Sequence, residues 1–391
     1  MRVGQFLAHY PSPGGSTSVL QGLSSGLIDL GHDVVIYGHG TPDGPALEDA
    51  EERIVANPRI SRRGLAVLAP PDALWRSLSR NEDSLDVLII HGMFSPFSPR
   101  IARAARKGGV PTIAQPHDPY SPAVFHERRL AKSLYWRLLE RPFLQNVDAI
   151  QLYAPSHRQH LVRLGVDTRT FVVPAGLSQQ SLERAAAARH AKRRSQEAVN
   201  LVFLGRFDIH NKGLDLLFEA IAATSSLRSG VRLECRGARS RPEFDAVTGM
   251  VQHFGLTDCI HVSLRSDNPW SSVALADLLV LPSRFDGFAL VALEALAAGT
   301  PIVLSNAAGV AEYIGDDEAV VIAEPSVEGV RDGLLDAVAR LNELQAAASN
   351  ASERISSRLT WSHSAEQWLQ SVMDLGLLVR RNSEPSMVIA R

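Results

Sequence analysis

The sequence predicts an α/β protein made of two doubly wound domains, each built around a parallel sheet. Its 391 residues suit two domains of ordinary size. Apolar, β-rich runs alternate with helical patterns almost to the end of the chain, which is typical of parallel strands joined by crossover helices. The alternation is interrupted once, by a polar segment rich in Ala and Arg, and then restarts. We therefore predict a first domain over 1–177, a linker over 178–199 and a second domain over 200–361.

In the first domain, Arg2–His9 forms the opening strand and Pro11–Gly15 a turn. A helix follows over Thr17–Leu30, where apolar residues recur at helical spacing until Gly31 stops it. The further strand candidates are Asp33–Tyr37, Asp86–Ile90, Pro111–Gln115, Val147–Tyr153 and Thr170–Val173.

The second domain repeats this pattern, with helices over Gly213–Ala223 and Leu290–Ala298. A last helix is predicted over Ser362–Leu378, and we expect the tail over 382–391 to be loose. The strand candidates are Asn200–Leu204, Val231–Arg236, Cys259–Leu264, Leu278–Leu281, Pro301–Leu304 and Ala319–Ile322. Ligands of such sheets bind beyond the carboxyl ends of the strands, so candidate site residues are sought there.

The composition narrows the functional classes. Hydrophobic residues make up 45% and charged residues 21%, and the net charge is -2, which argues against a general nucleic-acid binder. The two cysteines, Cys235 and Cys259, lie in apolar runs and are expected to be buried, reduced thiols. No apolar run is long enough to span a membrane, and the N-terminus is too short and polar for a signal peptide. We therefore expect a cytoplasmic protein.

The most informative segment is Leu281–Ser305, where a strand, a loop and a helix follow one another. The loop places the backbone N–H groups of Phe288, Ala289 and Leu290 at the N-terminus of that helix. Free N–H groups and the helix dipole favour an anion, so these three residues are candidates for binding a diphosphate.

Two carboxylates accompany this loop. Asp286 lies in the loop, and Glu294 follows eight positions later on the helix, about two turns away. A carboxylate can accept hydrogen bonds from neighbouring hydroxyls, so Glu294 suits a ribose diol and Asp286 suits sugar hydroxyls. The competing interpretation is that Asp286 only stabilises the helix N-terminus. An acidic residue on a mostly apolar helix, as Glu294 is, usually has a partner or a role.

Further candidates follow other strands. Arg206 and Lys212 come directly after the strand ending at Leu204, where two cations can neutralise a diphosphate. His117 follows another strand, so its imidazole can bond a sugar hydroxyl at the rim of the cleft. Gly15 follows the first strand and lets the backbone approach a ligand closely, although it also fits an ordinary tight turn.

The carboxylate segment resembles the E-x7-E signature of retaining glycosyltransferases with the GT-B fold, especially family 4, whose usual form is PSxxEGFGLxxLEAxAxGxPVV. The match extends over about 25 residues. It departs at two positions: Asp286 stands where the family usually has Glu, and Ala289 where it often has Gly. The family's glycine pair, His-Asp, Arg/Lys pair and C-terminal Trp helix also occur in order, so the resemblance covers nearly the whole chain.

The resemblance implies two Rossmann-like domains facing across a cleft, with a C-terminal helix, about 362–380, returning to the first domain. The first domain would bind the acceptor, which is a small molecule, a glycan or a lipid-linked molecule. The second would bind a UDP- or GDP-linked sugar. His117 and Asp286 would act at the reaction centre, Glu294 at the ribose, and Arg206, Lys212 and Gly15 at the diphosphate. Transfer would proceed with retention, without metal or cofactor.

Other interpretations stay open from the sequence alone. A nucleotide-sugar epimerase or a phosphorylase could use the same architecture, and a non-catalytic sugar-nucleotide sensor would fit the changes at Asp286 and Ala289. The pattern of the basic segment His126–Phe143 is typical of an ordinary exposed helix. The alternative is that this helix makes weak peripheral contact with the inner membrane. His157 and His160 lack a third ligand, so we predict no metal site. The sequence does not specify the oligomeric state.

Overall fold

The computed structural model of the protein describes residues 1–11, 14–39, 47, 49–55, 72–118, 120–125, 129–191, 198–238, 240–264 and 270–378. Its strands form two sheets in which every neighbouring pair is parallel. Two doubly wound α/β domains are therefore confirmed.

The first sheet has seven strands in the order β3-β2-β1-β4-β5-β6-β7. All five residues of β4 are buried, as expected for a central strand covered by helices on both faces. The strands are β1 (Arg2–Leu7), β2 (Asp33–His39), β3 (Glu51–Val55), β4 (Val87–His91), β5 (Thr112–Gln115), β6 (Ala149–Leu152) and β7 (Thr170–Val172).

The second sheet has six strands in the order β10-β9-β8-β11-β12-β13. In each sheet the strand order reverses at one place, between β1 and β4 and between β8 and β11, and such points are where open α/β sheets bind ligands. The strands are β8 (Val199–Leu204), β9 (Val231–Ala238), β10 (Ile260–Leu264), β11 (Leu278–Leu281), β12 (Ile302–Ser305) and β13 (Val320–Ala323).

Helices connect the strands. A π-helical turn, Trp136–Glu140, lies between two of them. The α-helices are α1 (Gly15–Asp29), α2 (Asp72–Arg80), α3 (Ser98–Lys107), α4 (Arg129–Tyr135), α5 (Arg141–Asn146), α6 (Arg158–Arg163), α7 (Gln179–Ala191), α8 (Ile209–Lys212), α9 (Leu214–Ala222), α10 (Ser225–Gly230), α11 (Arg241–His253), α12 (Trp270–Leu275), α13 (Leu290–Ala297), α14 (Ala311–Ile314), α15 (Val327–Ala339), α16 (Leu341–Arg358) and α17 (Trp361–Asp374).

The last helix returns to the first domain, as the resemblance implied. Its first residue, Trp361, lies against Gly22 and Gly26 of α1, which are one helical turn apart. A Cβ atom at Gly22 would lie 2.0 Å from the Trp361 ring, so only glycine admits this contact. Through this contact, the last helix packs against α1 of the first domain.

The structure has elements that the sequence analysis did not name, among them β3, α15 and α16. The strand β3 pairs with β2 at the edge of the first sheet. The segment 178–199, which we predicted as a linker, contains α7, and this helix packs against α12 and α13 through a face that includes the buried Ala185. Residues 192–197 of that segment and the tail over 382–391 lie outside the described residues.

Both cysteines are buried free thiols, as expected. Burial raises the pKa of each of them, so neither is a reactive thiolate. Among the helices of the described ranges, none combines the length and the apolar character needed to cross a bilayer.

Candidate active site

The loop between β11 and α13 holds the first part of the site. The Asp286 carboxylate accepts a hydrogen bond from the Ala289 N–H at 3.2 Å, and its other oxygen pairs with the Lys212 Nζ atom. Each of the two paired side chains is 17% exposed, so this ion pair is largely shielded from water. The structure thus joins two residues to which the sequence assigned separate roles.

One of the three backbone N–H groups at the start of α13 is already hydrogen-bonded within the described part of the protein, and the other two are not. The Ala289 N–H already donates to Asp286. The N–H groups of Phe288 and Leu290 have no partner within the described ranges, so these two are the donors that can bind a ligand at the start of α13. The prediction of three free donors was therefore wrong for Ala289, because the Asp286 side chain folds back to cap the helix.

Ala289 itself adopts the left-handed conformation, with φ 59° and ψ 62°. A residue with a Cβ atom is disfavoured there, whereas glycine adopts it freely. This explains in physical terms why a glycine is common at this position in the resembling family. The alanine places about 1 kcal/mol of backbone strain next to the Asp286 carboxylate.

A short helix, α8, carries Lys212 to the loop. Asp208 caps its start by accepting from the Asn211 N–H at 3.2 Å, and Gly213 ends it with φ 67°. The Asn211 carbonyl in turn accepts from the Arg284 N–H at 2.9 Å. Gly213 must be glycine, since a Cβ atom there would lie 2.1 Å from the Pro282 carbonyl oxygen.

Arg284 strengthens this connection, and no motif in the sequence pointed to this residue. Its guanidinium bonds both oxygens of Asp215, at 2.7 and 2.8 Å, and also the His210 carbonyl at 2.8 Å. A bidentate pair of this kind fixes both direction and distance. The loop with Asp286 and the helix with Lys212 are therefore held together by groups outside the ion pair.

Arg206, the second predicted cation, is exposed at the end of β8 and forms no ion pair within the described residues. Gly15 begins α1 and is also exposed; a Cβ atom there would meet no atom within 4 Å. Packing does not require glycine at this position. The diphosphate roles of both residues stay predictions.

Glu294 lies on α13, and its carboxylate has no hydrogen-bond partner among the described residues. Burial raises its pKa to about 7, with the positive charge of Arg184 acting in the opposite direction. The side chain is only partly buried, so its carboxylate is open to a ligand, and a raised pKa of this kind is common at functional sites. Its proposed contact with ribose stays a prediction.

His117 follows β5 and is held by aromatic neighbours. Its Nδ1 atom lies 2.7 Å from the Tyr153 hydroxyl, and its ring stacks on His91 with centroids 5.4 Å apart. Burial lowers the pKa of His117 to about 4, so the ring is neutral at pH 7. Its Nε2 atom is buried and has no partner in the described part of the protein. A neutral imidazole nitrogen without a partner can bond a hydroxyl that a ligand supplies.

The two domains meet at this histidine. A Cβ atom on Gly287 would lie 2.0 Å from the His117 carbonyl oxygen, so the backbone of the Asp286 loop rests on the backbone of the first domain. The Tyr313 hydroxyl donates to the Tyr153 carbonyl at 2.8 Å across the same boundary. His117 and Asp286 are thereby brought to one place.

Asp118 is a site residue that the sequence reasoning quoted but did not select. Burial raises its pKa to about 7, and the charge of Asp286 raises it further while Lys212 lowers it. A Cβ atom on Gly287, the residue after Asp286, would lie 3.8 Å from the Asp118 Cα atom, so Asp118 of the first domain lies close to the Asp286 loop of the second. The His-Asp dipeptide after β5 was the available signal.

Glu140 was missed entirely, because it lies in a segment with no recognisable motif. It is fully buried in the π-helical turn, and one oxygen accepts from the Tyr120 hydroxyl at 2.6 Å and the Phe94 N–H at 2.7 Å. Phe94 and Tyr120 both have positive φ. Glu140 therefore holds the loops that follow β4 and β5, and the second of these loops carries His117 and Asp118.

Comparison with known proteins agrees with this geometry. The model of glycosyl transferases group 1 matches residues 186–354, and the model of Glycosyltransferase Family 4 matches residues 13–180. Together the two matches cover both domains.

One curated relative is similar in sequence over nearly the whole chain, and two solved structures share the fold. MMP alpha-(1->4)-mannosyltransferase of Mycolicibacterium hassiacum is 26% identical, over 90% of this chain and 93% of that protein. Sucrose-phosphate synthase from Thermosynechococcus elongatus has a TM-score of 0.74 and 18% identity, covering 96% of this chain and 99% of that one. The Anabaena protein HepE, solved with UDP and glucose, has a TM-score of 0.70 and 16% identity, covering 96% and 100%. The chain therefore belongs to the glycosyltransferases of the GT-B fold, of the family 4 kind.

Proposed function

We propose that this glycosyltransferase moves a sugar from a nucleoside diphosphate, UDP- or GDP-linked, to an acceptor hydroxyl with retention of configuration and without a metal. The observation that carries the proposal is the Lys212–Asp286 pair at the start of α13, beside the unpartnered N–H groups of Phe288 and Leu290. A cation and backbone donors at one helix terminus suit a diphosphate.

The remaining residues fit the rest of such a donor. The Glu294 carboxylate accepts hydrogen bonds from the ribose diol. Asp286 bonds a hydroxyl of the transferred sugar, and the His117 Nε2 atom bonds another. Arg206, which is exposed after the end of β8, supplies a second positive charge to the diphosphate. This charge performs what a metal ion performs in other transferases.

In the proposed reaction, the bond between the anomeric carbon and the diphosphate oxygen breaks, and its electron pair leaves with the diphosphate. The acceptor oxygen bonds to the same face of that carbon, and its proton passes to the departing phosphate. Asp286 is engaged by Lys212 and the Ala289 N–H. These contacts support a role in holding the sugar rather than in attacking it.

The names of relatives guide the choice of donors to test. HepE was solved with UDP and glucose, so UDP-glucose is the first candidate, and mannosyl donors follow from the mannosyltransferase relative. We further propose that the protein acts in the cytoplasm, with any membrane contact peripheral and made through the segment around α4.

Thermal unfolding with a panel of nucleotides and sugar nucleotides tests the donor site. A ligand at about 100 times its Kd adds about 2.7 kcal/mol to stability, which shifts Tm visibly. We expect a shift with UDP or GDP and their sugars, lost in Glu294→Gln and kept in Glu219→Gln, an exposed glutamate on α9. If none of these ligands shifts Tm in the folded protein, the proposed donor class is wrong.

A further inference from the structure

A cavity of about 830 Å³ opens on the first domain, between the π-helical turn and α6. This volume suits a small molecule or a headgroup. Its wall combines two kinds of side chain, which are the aromatic rings of Tyr120, Phe125 and Trp136 and the guanidinium groups of Arg137, Arg141 and Arg163.

Within the described residues, the three arginines are not neutralised by carboxylates. Arg141 donates to the Gly165 carbonyl at 3.2 Å, and Arg163 donates to the Gln159 side chain at 3.4 Å, so both bonds are to neutral acceptors. Within the described ranges, none of the three pairs with a carboxylate. The nearby Glu140 uses one oxygen to accept from the Tyr120 hydroxyl and the Phe94 N–H, and its other oxygen has no partner among the described residues. Guanidinium groups in this state are suited to an anion from outside the protein.

Two residues of the cavity wall, Tyr120 and His160, lie next to segments that carry the active site. Tyr120 lies two residues after Asp118, which is close to the Asp286 loop. His160 also lines the cavity, and its ring lies 5.9 Å from Phe285, the residue before Asp286. A molecule anchored by the arginines would therefore extend toward the place where the donor sugar is proposed to lie.

We propose that this cavity is the acceptor subsite for a phosphate-type group, so that the acceptor carries a phosphate monoester or diester as well as the reacting hydroxyl. The arginines bind the phosphate, and the aromatic wall covers the adjoining carbon skeleton. This inference rests on the proposed function, because it assigns one part of the acceptor of that reaction.

The phosphate could belong to a soluble ester or to a lipid headgroup. Beside the cavity, Leu130, Leu134 and Leu138 form an apolar stripe that is 87%, 60% and 64% exposed. Each successive pair is one helical turn apart, and Ser133 and Arg137 of the cavity wall adjoin the stripe in sequence. The two sources share the same anion chemistry and differ in whether the stripe enters a bilayer.

Two binding measurements distinguish a soluble phosphate ester from a lipid headgroup. Protein saturated with UDP, which occupies the proposed donor diphosphate site, is titrated with sn-glycerol 3-phosphate. In parallel, its binding to phosphatidylglycerol vesicles is compared with phosphatidylcholine vesicles. The test variant is Arg137→Gln/Arg163→Gln, and the matched control is Arg103→Gln, an exposed arginine on α3 outside the cavity.

We expect sn-glycerol 3-phosphate or phosphatidylglycerol vesicles to bind, and the double variant to weaken that binding by about tenfold or more, since charge-assisted hydrogen bonds are lost. Binding of the soluble ester supports the subsite with a soluble acceptor, and binding of the anionic vesicles alone supports it with a lipid acceptor. The inference is overturned if neither probe binds, or if Arg103→Gln weakens binding as much as the double variant does.

The two proposals fail in different ways. If the cavity binds neither probe while UDP still stabilises the protein, only the acceptor subsite is wrong. If neither UDP, GDP nor their sugars bind, the proposed function fails, and the phosphate titration is then repeated without nucleotide and judged by the same arginine variants.

Discussion

Replacing Lys212 with alanine should abolish most turnover while the protein stays folded. Lys212 pairs with the Asp286 carboxylate, and each side chain is 17% exposed. Under the proposed function, the same ammonium group stabilises the charge that develops on the leaving diphosphate. Its removal therefore affects both the stability of the loop and the transition state.

The two effects have different sizes. Loss of one preorganised group that stabilises transition-state charge commonly lowers kcat by about 10²–10³-fold. For stability, the Asp286 carboxylate would keep the Ala289 N–H at 3.2 Å as a partner. We therefore expect a cost of about 1–3 kcal/mol, the range for leaving a partly buried polar group short of one partner.

A double-mutant cycle separates the pair from its surroundings. The single variants Lys212→Ala and Asp286→Asn and the double variant are compared by chemical denaturation, and their transfer rates are measured with the donor identified by thermal shift. If the pair is direct, the double variant costs less than the sum of the singles, by about 0.5–3 kcal/mol. The control is Lys107→Ala, an exposed lysine at the end of α3.

Two results would refute this reasoning. If the turnover of Lys212→Ala stays within about threefold of wild type, Lys212 does not stabilise the leaving diphosphate, because loss of such a contact should lower kcat by about 10²–10³-fold. Strict additivity of the two substitutions would show that the ion pair does not form in solution.

Three further outcomes follow from the site. Ala289→Gly should be neutral or stabilising by up to about 1 kcal/mol, and Ala289→Val destabilising by about 1–2 kcal/mol in denaturation, because φ is 59°; equal stability of the two variants would contradict the strained conformation. Gly287→Ala should destabilise by about 1–3 kcal/mol and slow transfer, since its Cβ would lie 2.0 Å from the His117 carbonyl oxygen, whereas Gly249→Ala, with no atom within 4 Å, should not. Affinity for UDP-glucose should rise as pH increases from about 6 to 8, as the Glu294 carboxyl with its pKa near 7 ionises, by up to about tenfold, and titration at several pH values should show a flat profile in Glu294→Gln. The raised pKa also means that the folded state binds the Glu294 proton more tightly than the unfolded state, so this group's contribution to stability falls as pH rises from 4.5 to about 7.

The sequence by itself determined the architecture and the positions of most candidate residues. Strands and their crossover helices are local in origin, because apolar runs of β-forming residues and helical spacing are visible within short windows. Two of the elements that were not predicted, β3 and α7, lack those signals. The strand β3 has the sequence EERIV, in which three of five residues are charged, and it pairs only at the sheet edge. Helix α7 is rich in Ala and polar residues and buries little of its surface.

Only the tertiary structure decided how the candidates meet. Lys212 and Asp286 are 74 positions apart, and their contact depends on Arg284, Asn211 and Gly213, none of which a motif identifies. The approach of His117 to the Asp286 loop depends on two domains packing backbone to backbone. Local patterns report propensity and burial, whereas ion pairs and domain contacts are set by the packing of distant segments. The arginine-lined cavity of the first domain is the clearest case, since its three arginines form one surface only when the π-helical turn, α5 and α6 are packed together.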